Sequence, residues 1–369
     1  MASEEAKYFN AFNQIQEVGA RTFKKLLAGF GSMESAWAGI AGARNTESLR
    51  ALGIKPPVME KIIQQSVGIN PDAEMERVQK LGLNILTIND EIYPKRLKEI
   101  YDPPGILYYY GKLSPADDLS IAVVGTRRLS YYGKQVTPRL AYDLARAGLT
   151  IISGMAKGID TLAHKSALEA NGRTLAVIGS GLDEKSIYPR ENLRLVKEIS
   201  RHGAVMSEYP IGVAGLPQHF PARNRIVAGM CLGVLVIEAP EKSGALLTVQ
   251  HALAQNRDVF AVPGSIFDQN SQGPNNLIKM GAKLVTSAQD ILDELQLGVV
   301  AEKSQARCVL ADTKEEARVL EFLSHQPLHI DKLAKLTKLD TPVLSSCLVL
   351  MEMKGKVKDL GGMNYVIYK

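Results

Sequence analysis

The chain has 369 residues, 46% of them hydrophobic and 22% charged, which excludes a disordered polymer and gives room for two or three domains. A formal net charge of +5 and a pI near 8.9 permit a polyanionic partner without requiring one. Cys231, Cys308 and Cys347 stand far apart with no CxxC pair, which excludes a paired-cysteine metal or redox motif.

Free thiols fit a reducing compartment. The first residues, MASEEAKYFNAF, are acidic and have none of the apolar stretch of a secretory leader. No run approaches the roughly 20 apolar residues that span a bilayer. A cytoplasmic protein without a membrane partner is expected.

Residues 1–75 read as an all-α module, because Ile15, Val18, Phe23, Leu26, Leu27 and Phe30 recur at helical spacing between glycines. The run IQEVGARTFKKLLAGFGS resembles a helix-hairpin-helix or sterile-alpha-motif-like unit. Such a unit either packs as a small helical module or touches phosphates through its turn amides. Residues 83–88 and 106–110 read as strands added to the edge of a following sheet.

From about 119 to 297 the chain alternates strand and helix. Strands are expected at 120–125, 149–153, 174–179, 204–208, 234–239, 258–263 and 283–286. Between them, Val136, Leu140 and Leu144 share a helix face, and Asp160, Asn192 and Ser243 are placed to cap helices. This alternation argues an α/β, Rossmann-like, doubly wound and mostly parallel sheet, with a core domain over 76–298. Residues 299–312 read as a linker. Residues 313–369 give three helices and a ribbon with a Gly–Gly turn, a winged helix. Its third helix, TPVLSSCLVLMEMK, is apolar and almost free of cations, which favours protein contact over duplex reading.

In a parallel sheet the carboxyl ends of the strands line one crevice. Here those ends carry glycine and cations. The first is Gly125–Thr126–Arg127; GxGxxG is absent, so a dinucleotide is not supported. Arg127 suits a phosphate through its planar fork, or a surface salt bridge. The second loop holds Gly154, Lys157 and Gly158, with Lys157 a phosphate contact or a solvated lysine. Ser180–Gly181 and Ser243–Gly244 are further amide-rich turns. Arg190, Arg223 and Arg225 add charge, and Asn224 can bond a sugar or base edge. Phe220 suits either a core position beside Pro221 or a stacking platform, worth about 1–3 kcal/mol per base. His164 reads as a packed helical residue. No GxSxG, HExxH or close His/Cys cluster appears, so neither metal, cofactor nor catalytic set is expected. Asp160 reads as a cap, and Glu208 and Glu238 as strand-end residues.

These loops resemble the DNA-processing protein A family (DprA/Smf). The resemblance rests on VVGTR (123–127), SGMAKGIDTLAH (153–164), AVIGSGLDEKSIYPREN (176–192), SEYP (207–210), HFPARNRIVAG (219–229), EAPEKSGALLT (238–248), DVFAVPG (258–264) and GPNNLIKMGA (273–282), in order over about half the chain. It implies a Rossmann-like core that binds single-stranded DNA, forms a homodimer, protects incoming strands in natural transformation, and loads the recombinase RecA onto DNA covered by single-strand binding protein. It implies no enzyme. By the same resemblance Arg127, Lys157, Arg190, Arg223, Asn224 and Arg225 contact phosphate and sugar, while Gly154, Gly158, Ser180, Gly181, Ser243 and Gly244 allow close backbone approach. The competing reading is a nucleotide-processing enzyme of the phosphoribohydrolase kind, whose PGGxGTxxE signature is missing. A transcription regulator acting through the tail is the third.

Overall fold

Seven strands run parallel in one sheet, and the central five are short runs buried on both faces. In the computed structural model, which describes residues 4–41, 46–297, 313–323, 327–354 and 356–367, these are β3 (Ser120–Val124), β4 (Thr150–Ser153), β5 (Thr174–Ile178), β6 (Ala204–Ser207), β7 (Gly233–Val236), β8 (Asp258–Ala261) and β9 (Lys283–Leu284). Two earlier strands, β1 (Asn84–Thr87) and β2 (Ile106–Gly111), pair antiparallel and extend the sheet past β6. The order is β1-β2-β6-β5-β4-β3-β7-β8-β9.

Strand residues alternate between two cores, as the pleat requires. Ala122, Val124, Val234 and Val236 pack on one face, against helices His219–Met230 and Gly244–Ala254. Ile121, Val123, Leu235 and Ile237 pack on the other, against helices Tyr131–Arg146, Ile159–Glu169 and Ala288–Glu294. The chain winds outward from β3 through β4 and β5 to β6, then returns to lay β7 on the other side of β3. The switch point therefore lies between the carboxyl ends of β3 and β7, where ligands of open α/β sheets bind.

Among the described residues six helices between Ala6 and Lys80 precede β1, and their apolar side chains share one core with the antiparallel end of the sheet. Phe9, Phe12, Phe23 and Leu26 join Ile85, Ile106 and Val205 in it. The Tyr108 hydroxyl donates to Asn10 Oδ1 at 2.7 Å, and Asn13 Nδ2 donates to the Glu208 carbonyl at 2.9 Å.

The tail forms helices Lys314–Leu320, Ile330–Thr337 and Thr341–Met353 around a separate core. Its ribbon is β11 (Val357–Asp359) and β12 (Asn364–Ile367), turning at Gly361–Gly362. The two-residue β10 (Leu328–His329), too short to leave a sequence pattern, pairs with β12 and completes the wing. The third helix leaves Val343, Val349, Leu350 and Met353 exposed. The linker expected at 299–312, with Cys308, lies outside the described residues. Among those residues no helix is long and apolar enough to cross a membrane.

Candidate nucleic-acid interface

A crevice of about 690 Å³ opens at the switch point. The loops after β3, β4 and β7 and the start of helix His219–Met230 wall it, bringing together Gly125, Thr126, Arg127, Gly154, Phe220, Arg223, Asn224, Ser243 and Gly244. A smaller adjoining recess adds Lys157 beside Tyr188 and Pro189.

The turn after β3 is shaped by close approach. The Thr126 N–H donates to the Glu238 carbonyl at 2.7 Å, and a Cβ on Gly125 would sit 2.7 Å from that same oxygen. The Thr126 hydroxyl accepts from the Arg128 N–H at 3.1 Å, which curls the loop and leaves the Arg127 and Arg128 side chains exposed. The Arg127 guanidinium lies over the Phe220 ring, 5.3 Å from its centroid, and Tyr188 tilts against the same ring at 5.7 Å. Phe220 is thus half-exposed in the wall rather than buried in the core.

The glycine loop after β4 is held from below. Asp160 does not cap its own helix. That helix starts at Ile159, and the Asp160 carboxylate reaches back to accept from the Gly154 N–H at 3.1 Å and the Ala156 N–H at 3.3 Å. Gly158, at φ +88°, packs with its Cα under the Thr126 carbonyl, where a Cβ would come within 2.3 Å. Burial pushes the Asp160 carboxyl upward, opposed by Arg223 and the loop amides.

Arg223 is 4% exposed. Its guanidinium donates to the Gly154 carbonyl at 2.6 Å and to the Val177 carbonyl, and its Nε donates to Asn224 Oδ1. Burial lowers its pKa to about 10, with nearby Asp160 acting the other way. It therefore braces the crevice floor more than it offers charge to a ligand. Asn224 donates in turn to the Gly244 carbonyl at 3.3 Å, fixing the loop after β7. Ser243 caps helix Gly244–Ala254 as expected, accepting from the Ala245 N–H at 3.3 Å, and this helix start faces the crevice.

Other expected residues go elsewhere. Arg225 points away: it pairs with Glu208 at 2.6 Å and Asp102 at 3.3 Å in a different cleft, because two residues along a helix turn a side chain to the opposite side. Ser180 and Gly181 stand behind the wall; the Gly181 N–H already donates to the Val213 carbonyl at 2.7 Å. Arg190 is exposed but does not line the crevice. Asn192 is not a side-chain cap; its Nδ2 donates to the Met155 carbonyl and to Thr161 Oγ1. Lys157 is exposed and paired with exposed Glu191 at 2.6 Å. His164 is fully buried, its Nδ1 2.7 Å from Thr174 Oγ1, and burial lowers its pKa to about 3.

Two cations that line the crevice escaped the sequence reading, Arg128 and Lys242. Both were visible in it, one next to Arg127 and one just before Ser243. Nearby Glu238 is buried and accepts from the Ser130 hydroxyl and N–H. Among the described residues no group of His, Cys, Asp or Glu is placed to hold a metal ion.

The model of the DNA recombination-mediator protein A family matches residues 84–296, and that of the DprA winged helix domain matches residues 303–363. The chain belongs to the DNA recombination-mediator protein A family. Protein Smf of Synechocystis is 34% identical over 401 residues, covering 99% of both chains. The DNA processing protein DprA of Streptococcus pneumoniae is 49% identical over 210 residues, 57% of this chain and 73% of that relative. The X-ray structure of the Streptococcus pneumoniae protein superposes with a TM-score of 0.67 at 38% identity, covering 78% of this chain and 97% of that one. The Helicobacter pylori DNA processing protein A, solved for its unique single-stranded DNA binding mode, gives 0.52 at 32% identity over 58% of this chain and 95% of that one.

Proposed function

We propose that the switch-point crevice of this chain binds single-stranded DNA without chemical conversion. The observation that carries this reading is the Arg127–Phe220–Tyr188 ladder beside the glycine loops. Cations for phosphates and an aromatic face for a base are the two parts that grip single strands with little sequence preference. Arg127, Arg128, Lys157 and Lys242 displace counterions from the strand. Gly154, Ser243 and Gly244 let the backbone approach individual phosphates, Gly158 shapes the loop from below by packing under the Thr126 carbonyl, and Asn224 orders the wall. The non-catalytic reading is supported by the carboxylates beside the crevice: Asp160 is engaged by loop amides and Glu238 by Ser130.

The family's role extends the proposal. The protein protects incoming single strands in natural transformation and helps load RecA onto DNA covered by single-strand binding protein. It acts in the cytoplasm as a homodimer. An exposed apolar surface after β8 and around β9 supports the dimer: Ile266, Phe267, Met280 and Leu284 are all exposed. A second copy covering it would place two crevices on one strand. The exposed apolar residues of the third tail helix likewise support protein contact rather than duplex reading.

The test is a binding titration with oligo-dT and with a duplex of equal length across a salt series. Tight, salt-sensitive binding to the single strand alone supports the reading, and a preference for duplex overturns it. Release of a free base from a nucleoside monophosphate would instead establish the nucleotide-processing enzyme.

A further inference from the structure

The start of helix His219–Met230 is a ridge between two clefts. Phe220, Arg223 and Asn224 face the crevice, whereas His219, Ala222 and Arg225 wall a second cleft of about 860 Å³ shared with the N-terminal helices. Pro221 and Ala222, on the crest, are exposed, one lining each side.

The charges of the second cleft are unevenly matched. Its three carboxylates are all held in ion pairs: Glu17 by Lys61, and Asp102 and Glu208 by Arg225. Its exposed cations Arg21, Lys25 and Lys55 have no carboxylate partner among the described residues. Arg21 lies over the Tyr101 ring at 5.2 Å, and Lys25 donates to the Gly53 carbonyl, a bond that leaves its charge uncompensated. The rings of Tyr209 and His219 stack at 4.1 Å in the same wall. Unpaired cations beside an aromatic pair fit a polyanion with bases, the chemistry of the neighbouring crevice.

We infer that the strand held in the crevice continues over the Pro221–Ala222 crest into this second cleft, so that the N-terminal helices carry part of the DNA-binding surface. The inference rests on the single-strand reading of the crevice.

The experiment compares the full chain with its Arg21→Ala/Lys25→Ala/Lys55→Ala variant, by anisotropy, on oligo-dT of about 6 and about 20 nucleotides. The three side chains are exposed, so the variant is expected to keep the wild-type melting temperature. The long strand is expected to bind about tenfold more weakly, with a log–log salt slope shallower by about 2, the release expected from three phosphates. The short strand is expected to bind as to wild type. An unchanged affinity for the long strand overturns the inference, as does an equal loss on both lengths. An equal loss in a Lys80→Ala/Lys165→Ala/Lys197→Ala control, which removes three cations outside both clefts, also overturns it. If wild type binds neither length, the single-strand reading beneath it is what has failed.

Discussion

The Arg223 guanidinium donates to the Gly154 carbonyl at 2.6 Å, which ties the helix after β6 to the glycine loop after β4. The same side chain reaches the Val177 carbonyl on β5, and Asp160 holds the other side of that loop through its amides. One buried cation thus ties its own helix to two strand ends. Replacing it leaves two buried carbonyls without their donor and removes a cation whose charge opposes the cost of burying the Asp160 carboxylate. Arg223→Met is expected to lose about 3–5 kcal/mol of unfolding free energy in urea titrations. A loss below about 1 kcal/mol would mean that Arg223 is a ligand contact and not a brace.

In the proposed interface Glu191 would compete with a phosphate for Lys157. The pair is exposed on both sides, and each partner holds the other in its charged form, the lysine pushed up and the glutamate down. Exposed pairs are weak, so a phosphate of a bound strand would displace the glutamate. Glu191→Gln removes the competitor and is expected to tighten oligo-dT binding by about threefold, with no change in melting temperature. Weaker binding would place Glu191 among the groups that orient the site.

His164 gives folding a pH dependence. Burial, with a smaller contribution from Arg223, lowers its pKa to about 3 from an ordinary value near 6.5. Between those values the unfolded chain takes up a proton that the folded chain refuses. Stability contributed by this residue is complete above about pH 6.5 and falls as the pH drops, by about 1.4 kcal/mol per unit. His164→Gln is expected to flatten the stability profile between about pH 6 and 4 relative to wild type. Parallel profiles would show that His164 is protonated inside the fold.

The exposed Met280 and Leu284 around β9 predict a change of mass. Met280→Glu with Leu284→Glu places two charges where a second copy is proposed to sit. Light scattering is expected to give a monomer for this variant and a dimer for wild type. A dimer that survives both charges would move the contact to another surface.

The sheet was legible because a parallel strand buried on both faces must be an apolar run, and Ile121–Val124, Ile151–Ile152 and Val234–Val236 are such runs. The crevice followed, since the order of strands and helices determines which ends meet. Which way a cation points was not legible. Arg223 and Arg225 look alike in the sequence, yet one braces the floor and the other pairs with Glu208 across the ridge. Asp160 resembles a cap, but its carboxylate turns back to the loop, a choice made by the tertiary position of Gly154 and Ala156. Arg128 and Lys242 were passed over because each sits beside a residue that already explained its loop.

In the proposed interface the exposed cations of this crevice hold the strand. Arg127→Ala with Lys157→Ala tests it most directly, because neither side chain is buried and the fold does not depend on them. Titrated with oligo-dT at low salt, the folded double variant is predicted to bind at least tenfold more weakly than wild type, a loss of about 1.4 kcal/mol. Wild-type affinity in that variant would mean that the strand is not held by these cations.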